Sequence, residues 1–209
     1  MPLAIGQVLQ NRYRIDALLG QGGMGAVYRA TDLHLGGVVA VKENLEVSPD
    51  AQRQFVREAG LLYQLRHPCL PRVSDYFLVP GLGQYLVMDY IAGEDLDQIL
   101  ARGVRIPEQQ AVAWIGQVLD ALHFLHDQNV IHRDVKPANV KITPQGHVYL
   151  VDFGLAKVYD PHARTTTGAR GVTPGYAPPE QYGAGRTDAR TDVYSAGATL
   201  YALLTGQQP

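Results

Sequence analysis

Apolar and polar residues trade places from Tyr13 to Leu19 and again from Ala26 to Ala30, the period-two signature of strands with one covered face. Between them lies Gly20-Gln21-Gly22-Gly23-Met24-Gly25, which lets a turn approach a ligand with bare backbone amides. Val38-Val39-Ala40-Val41-Lys42 is a third, apolar strand that ends in a lysine. From about Asp50 to Leu65 the period lengthens, with Phe55, Ala59 and Leu62 on one helical face and Pro49 and Asp50 as a start signal. His67-Pro68-Cys69-Leu70-Pro71 stops that helix, because each proline blocks continuation. Two more strands, Val73–Leu78 and Gln84–Met88, turn at Pro80-Gly81-Leu82-Gly83. Asp89-Tyr90-Ile91-Ala92-Gly93 then connects to a short helix from Asp95 to Arg102.

The second part of the chain is mainly helical. Pro107 and Glu108 open a helix that runs to about Gln128, with Ile115, Val118, Leu119, Leu122 and Leu125 as its apolar stripe. A small hairpin follows, Val140–Ile142 and His147–Val151 around Pro144-Gln145-Gly146, and then a polar stretch from Leu155 to Val172. The last helix, about Thr191 to Leu204, carries Val193, Tyr194, Ala196, Ala198, Leu200, Tyr201, Leu203 and Leu204 around nearly its whole circumference. A helix apolar on all sides is expected to be buried on all sides. The expectation is therefore that the sequence is a fragment of a larger protein, and that alone it leaves apolar surface bare and tends to aggregate.

Composition adds bounds. A chain of 209 residues, 46% hydrophobic and 18% charged, buries a core as one large domain or two lobes. A formal charge of −2 offers no global field for nucleic acid, and nucleic acid is not expected as a partner. The single cysteine, Cys69, makes no internal disulfide and fits a reducing compartment. The N-terminus has no basic region followed by an apolar run, and no segment is apolar for long enough to cross a bilayer. A cytoplasmic, soluble chain is expected, with membrane anchoring of a longer protein left open.

The chemistry concentrates in His132-Arg133-Asp134-Val135-Lys136-Pro137-Ala138-Asn139. Pro137 stiffens the segment and pushes Lys136 out of helical geometry. An acid, a cation and an amide thus stand at fixed offsets, the set that phosphoryl transfer asks for: a carboxylate for the attacking hydroxyl, a charge near the phosphate and an oxygen ligand for Mg²⁺. Asp152-Phe153-Gly154 adds a second carboxylate at the end of the small hairpin. His123 and His126 stand at i, i+3, but no third ligand lies nearby to make them a metal site.

These motifs resemble those of protein kinases, in the same order: Gly20-x-Gly22-x-x-Gly25 followed by Val27 and strand, the strand lysine, H-R-D-x-K-P-x-N and D-F-G. Strand rather than helix after the glycines excludes a dinucleotide-binding fold. Lys136 resembles the serine/threonine branch, and Gly-Gln-Gly-Gly-Met-Gly and Tyr-Ala-Pro-Pro-Glu-Gln-Tyr are similar to bacterial kinases of the eukaryotic type. The resemblance implies an α+β, bilobal kinase-like fold: a β-rich first lobe over 1–88, a hinge over 89–95 and a helical second lobe over 96–209 that lacks its final helices.

It also implies roles. ATP would be held by Gly20, Gly22, Gly25, Val27, Ala40 and Lys42, by the backbone of Asp89 to Ile91 behind Met88, and by Asp95 at the ribose, although Asp95 equally suits a helix cap. Glu58 would pair with Lys42, and Asn139 and Asp152 would hold Mg²⁺ or Mn²⁺. Asp134 would orient a Ser or Thr hydroxyl of a protein substrate, with Lys136 stabilising the developing charge and Thr173 bonding both. Asp192 would anchor the backbone of the catalytic loop. Phosphate on Thr165, Thr166 or Thr167 would pair with Arg133 and switch the enzyme on, through self-phosphorylation that two copies in contact would assist. Pro178-Pro179-Glu180 stands in for the family's A-P-E, and Lys141 replaces an apolar residue beneath the adenine. The expected function is a signalling protein serine/threonine kinase. A catalytically weak ATP-binding scaffold and a small-molecule kinase remain as alternatives.

Overall fold

The computed structural model describes residues 3–22, 25–45, 48–152, 157–158, 173–183 and 186–209. It divides into two compact units, Met1–Arg66 with Pro71–Ile91, and His67–Leu70 with Ala92–Pro209. The division falls after Ile91, inside the expected hinge. His67–Leu70 joins the second unit because the Cys69 carbonyl accepts the Leu150 N–H at 2.8 Å and the His67 ring stacks on Phe124 at 5.2 Å. Burial also pushes the Cys69 thiol pKa up, as expected of a small apolar filler rather than a reactive thiol.

The first unit is an antiparallel sheet with one helix. Its strands are β1 (Val8–Leu9), β2 (Tyr13–Gly22), β3 (Gly25–Asp32), β4 (Val38–Asn44), β5 (Val73–Val79) and β6 (Gly83–Asp89), in the order β1-β2-β3-β4-β6-β5. β2 and β3 run further than the sequence pattern suggests, since the glycines pair within the ladder: Gly22 faces Gly25 and Gly20 faces Val27. Strict alternation along β3 buries Ala26, Tyr28 and Ala30 in a core shared with Ile15, Val41, Tyr85 and Val87. Tyr13, Phe77 and Tyr85 stack in series at 5.8 and 5.3 Å across that core. Helix α1 (Pro49–Gln64) starts one residue after Ser48, whose hydroxyl accepts the Ala51 N–H, with Pro49 in the first turn.

Arg12 and Asp32 tie β3 to the turn before β2. Arg12 donates from Nε and Nη2 to both oxygens of Asp32, the shortest bond being 2.7 Å, and the guanidinium lowers the Asp32 pKa to about 2. A carboxylate whose folded pKa lies below its unfolded value stabilises the fold above the unfolded pKa and loses that contribution as pH falls through the folded one. Stability should therefore drop by about 1–2 kcal/mol between roughly pH 4 and pH 2 on this account. Asp32→Asn should remove that part of the acid dependence in denaturant titrations.

In the second unit, β7 (Glu94–Asp95) leads into α2 (Leu96–Ala101), followed by α3 (Glu108–Asp127) and β8 (Val130–Ile131). Then come β9 (Val140–Ile142), β10 (Val148–Leu150), β11 (Lys157–Val158) and α4 (Ala189–Thr205). Strands pair in the orders β10-β9-β7 and β11-β8. Helix α3 buries Ala111, Trp114, Ile115, Val118, Ala121, Leu122 and Leu125. Leu119, expected on that stripe, is 41% exposed, because it lies one step round the helix from Val118.

Helix α4 buries a face that its apolar pattern does not announce. Its buried face is small and polar: Thr191, Asp192, Ser195, Ala196, Thr199, Ala202 and Leu203. The Ser195 and Thr199 hydroxyls donate to carbonyls one turn back, Thr191 at 3.0 Å and Ser195 at 2.8 Å, so those polar side chains satisfy themselves inside the helix. Val193, Tyr194, Tyr201 and Leu204 are exposed among the described residues, so part of the apolar circumference of the helix is bare.

Candidate active site

The loop between β8 and β9 is built on a buried acid from a distant helix. Asp192 of α4, fully buried, accepts the backbone N–H of His132 at 2.9 Å and of Arg133 at 2.7 Å. His126 Nε2 of α3 also lies 2.7 Å from Asp192 Oδ2. His126 is thus a partner of this carboxylate, and among the described residues no group of three ligating side chains makes a metal site. Arg133 occupies the left-handed region at φ +70°, a conformation that costs a non-glycine residue about 1–2 kcal/mol and persists where its surroundings fix it. Three groups do so here: Asp192 takes its N–H, Gln181 Nε2 donates to its carbonyl at 2.9 Å, and its Nη2 donates to the Thr187 hydroxyl.

Arg133 in that conformation turns the next residue, Asp134, into a polar cluster. Asp134 Oδ1 accepts the Thr173 hydroxyl at 2.9 Å, and Oδ2 accepts Asn139 Nδ2 at 2.9 Å and meets Lys136 Nζ at 2.8 Å. Lys136 Nζ also donates to Thr173 Oγ1 at 3.1 Å. Pro137 opens a 3₁₀ turn, Pro137–Asn139, which swings Asn139 back so that its Nδ2 also donates to the Asp134 carbonyl at 2.8 Å. Four residues expected from the sequence therefore converge: Asp134, Lys136, Asn139 and Thr173.

Both N–H groups of the Asn139 amide are turned to Asp134, so its carbonyl oxygen is the atom left for a hard cation. The Asn139 backbone carbonyl accepts the Val151 N–H at 2.8 Å, which puts the start of Asp152 beside it. Asp152 itself has φ +68°. Asn139 and Asp152 are thus neighbours along the fold, and an amide oxygen and a carboxylate are donor types that a hard divalent cation takes. Phe153 and Gly154 of the D-F-G motif, and Thr165, Thr166 and Thr167, lie outside the described residues.

The segment after Thr173 grips the same loop. Tyr176 and Ala177 amides bond back to the Thr173 carbonyl, and Pro179–Gln181 forms a 3₁₀ turn. Glu180 Oε1 accepts the Thr191 hydroxyl at 2.9 Å, which ties this turn to α4. Gln181, not singled out in the sequence, is 3% exposed.

The first unit presents a different set. Val27, Lys42 and Leu86 are directly paired across β3, β4 and β6, and Ala40 pairs with Met88 two residues along. Alternation therefore puts Val27, Ala40, Lys42 and Met88 on one face, opposite the core face of Val41. A Cβ on Gly25, at φ +150°, would lie 1.9 Å from the Glu43 carbonyl oxygen, so close backbone approach demands glycine there. A Cβ on Gly20 or Gly22 would meet nothing within 4 Å, so internal packing does not explain those two. Gly23 and Met24 lie outside the described residues. Glu58 on α1 is half-buried and accepts Gln54 Nε2 at 2.7 Å.

The connector residues have structural duties as well. The Asp89 N–H donates to the Arg72 carbonyl at 3.0 Å and its carboxylate accepts the Arg72 N–H. Ile91 ends the first unit. Asp95 caps α2 in a reciprocal box: its Oδ1 accepts the Gln98 N–H at 2.8 Å while Gln98 Oε1 accepts the Asp95 N–H at 3.0 Å. Lys141 Nζ donates to the Gly93 carbonyl at 3.0 Å.

Comparison with known proteins decides the family. The protein kinase domain model matches residues 13–209. The chain belongs to the protein kinase family. This kinase domain is 38% identical over 216 residues to the serine/threonine-protein kinase pkn3 of Myxococcus xanthus, covering 98% of the chain and 40% of that protein. It is 38% identical over 212 residues to the serine/threonine-protein kinase PknA of Mycobacterium tuberculosis, covering 98% and 49%. It is 39% identical over 208 residues to the serine/threonine-protein kinase PknB of Mycobacterium leprae, covering 96% and 33%. The kinase domain thus spans less than half the length of these relatives. No helix among the described residues is long and apolar enough to cross a membrane.

Proposed function

We propose that this kinase domain transfers the γ-phosphate of ATP to serine and threonine hydroxyls of proteins. The observation that carries the reading is the cluster of Asp134, Lys136, Asn139 and Thr173, in which one carboxylate is oriented by three donors.

The roles follow from the chemistry of each group. Asp134, fixed by Thr173 and Asn139, accepts the hydroxyl proton of the substrate as the oxygen attacks phosphorus. Lys136, shared between Asp134 and Thr173, places a cation where charge builds up on the transferring group. Asn139 and Asp152 are the oxygen donors for Mg²⁺ or Mn²⁺. The cation neutralises phosphate charge when bound. In the first unit, the open backbone at Gly20 and Gly22 admits phosphate, Lys42 supplies its counter-charge and Glu58 steadies that lysine. Val27, Ala40 and Met88 give the adenine an apolar surface, and the carbonyl of Asp89 with the backbone of Ile91 offers its edge hydrogen bonds. Asp95 has one oxygen committed to its helix cap, which leaves the other for a ribose hydroxyl. Lys141 holds its ammonium at the Gly93 carbonyl, which leaves its methylene stem as apolar surface.

Thr173 also supports the choice of a serine/threonine substrate over a small molecule, because it joins a segment of the chain suited to peptide docking directly to Asp134. Phosphate on Thr165, Thr166 or Thr167 is the activating modification in this reading, and pairing of two copies is one way to deliver it. The test is incubation of the full-length protein with γ-labelled ATP, Mg²⁺, a mixed Ser/Thr peptide library and a panel of small alcohols. Label is expected in peptide serine and threonine. Label only in small molecules would replace this reading with the small-molecule one, and ATP binding without transfer would leave a scaffold.

A further inference from the structure

The Gln181 side chain is buried in a way that stability does not explain. Its Nε2 donates to the Arg133 carbonyl at 2.9 Å, and its Oε1 is buried with no hydrogen-bond partner among the described residues. The reverse amide orientation would set oxygen against oxygen at Arg133, so the donor must face the loop. A buried amide with half its bonding capacity unmet is a poorer core filler than an apolar side chain of the same shape. Packing alone gives no reason for glutamine here.

The bond it does make lies one peptide from the chemistry. The Arg133 carbonyl belongs to the peptide that enters Asp134, and Arg133 is the residue held at φ +70°. Asp192 fixes the N–H side of Arg133, and Gln181 fixes the carbonyl side. Without Gln181 that peptide keeps, among the described residues, only the long bond of its own N–H, from Asp134 to His132 Nδ1 at 3.4 Å, and is held less firmly in the conformation that aims the Asp134 carboxylate. Gln181 also sits on the same segment as Thr173, which grips the Asp134 side chain. One segment therefore holds Asp134 twice, through its carboxylate and through the peptide before it.

We propose that Gln181 is a positioning residue for catalysis: its amide locks the Arg133–Asp134 peptide and couples the segment 173–181 to the orientation of Asp134. This rests on the kinase reading above. Seating of a peptide substrate against that segment is then felt at Asp134 along two paths. The coupling acts on the chemical step, since the bond Gln181 makes is to the peptide that enters Asp134.

The test compares wild type, Gln181→Met and Gln181→Glu in the full-length protein. Methionine keeps the length and removes the donor; glutamate keeps the shape and faces the carbonyl with oxygen, and it decides the matter if the methionine variant does not fold. Three readouts are taken: melting temperature, kcat and KM for ATP with a peptide substrate, and amide hydrogen exchange of peptides spanning His132–Asp134. The proposal expects for Gln181→Met, at a temperature where it and the wild type are fully folded, faster exchange at 132–134 with α3 unaffected and kcat down about tenfold at unchanged KM for ATP, beyond the fall in melting temperature that one unpaired Arg133 carbonyl brings. Unchanged exchange overturns the lock. Faster exchange with unchanged kcat overturns the positioning role, and a fall in kcat that simply tracks a fall in melting temperature reduces Gln181 to a structural part. No phosphate transfer by the wild type sinks the kinase reading itself, and the positioning claim with it, whatever the exchange shows.

Discussion

Asp134→Asn should lower kcat for peptide phosphorylation by roughly 10²–10⁴-fold while leaving KM for ATP nearly unchanged. The substitution is close to isosteric, so the size of the effect comes from two sources. An amide does not accept the hydroxyl proton. It also brings an NH₂ group into a site where Lys136, Asn139 and Thr173 all point donors at the same two oxygens, so at least one donor must turn away. The nucleotide contacts are assigned to Gly20, Gly22, Lys42 and the connector backbone, and these are untouched. Steady-state kinetics at varied ATP and peptide separates the two constants. A variant that keeps more than a tenth of wild-type kcat would show that Asp134 is not the group that takes the proton.

The second large effect is expected in stability. Asp192→Ala should destabilise the second unit by about 3–5 kcal/mol, from two buried backbone donors and an imidazole left unpaired at about 1–3 kcal/mol each. For a chain of this size that is a drop of roughly 10 °C in melting temperature. The His132 and Arg133 amides and His126 lose their acceptor together, and the first two are buried backbone donors with no water to turn to. Arg133 then has less to hold it in the left-handed region. Asp192→Asn, which keeps one acceptor oxygen, should recover part of the loss. Calorimetry on the full-length protein measures both. An Asp192→Ala variant that melts within 2 °C of wild type would mean the loop is held by something other than this acid.

What the sequence made legible was local. His132 to Asn139 carries its own geometry, because Pro137 and the short spacing bring Asn139 back onto Asp134 without help from afar. The strand face of Val27, Ala40 and Lys42 follows from alternation and from the glycine hairpin. Thr173 lies 39 residues from Asp134, and only the resemblance to kinases pointed to its contact. Gln181, and the partner of His126, were missed for the same reason: the partners stand 48 and 66 residues away, and neither residue type announces a long-range bond. A residue following Pro-Pro-Glu beside a docking segment was the one available hint for Gln181.

What the apolar pattern of α4 did not announce is its buried face of Thr191, Ser195 and Thr199: the Ser195 and Thr199 hydroxyls bond within the helix and that of Thr191 bonds Glu180, contacts that a reading by residue type does not see. His67–Leu70 reads in the sequence as the stop after the first helix and falls within the first-lobe range 1–88. Its tertiary bonds to Leu150 and Phe124 give it to the second unit.

Peptide mass spectrometry of the full-length protein after incubation with Mg²⁺-ATP, beside Asp134→Asn, tests the central claim most directly. The account predicts phosphate on serine or threonine of the wild type, with Thr165, Thr166 or Thr167 among the sites, and none in the variant. Wild-type protein that binds ATP yet carries no new phosphate on any serine or threonine, on itself or on added peptide, would contradict it.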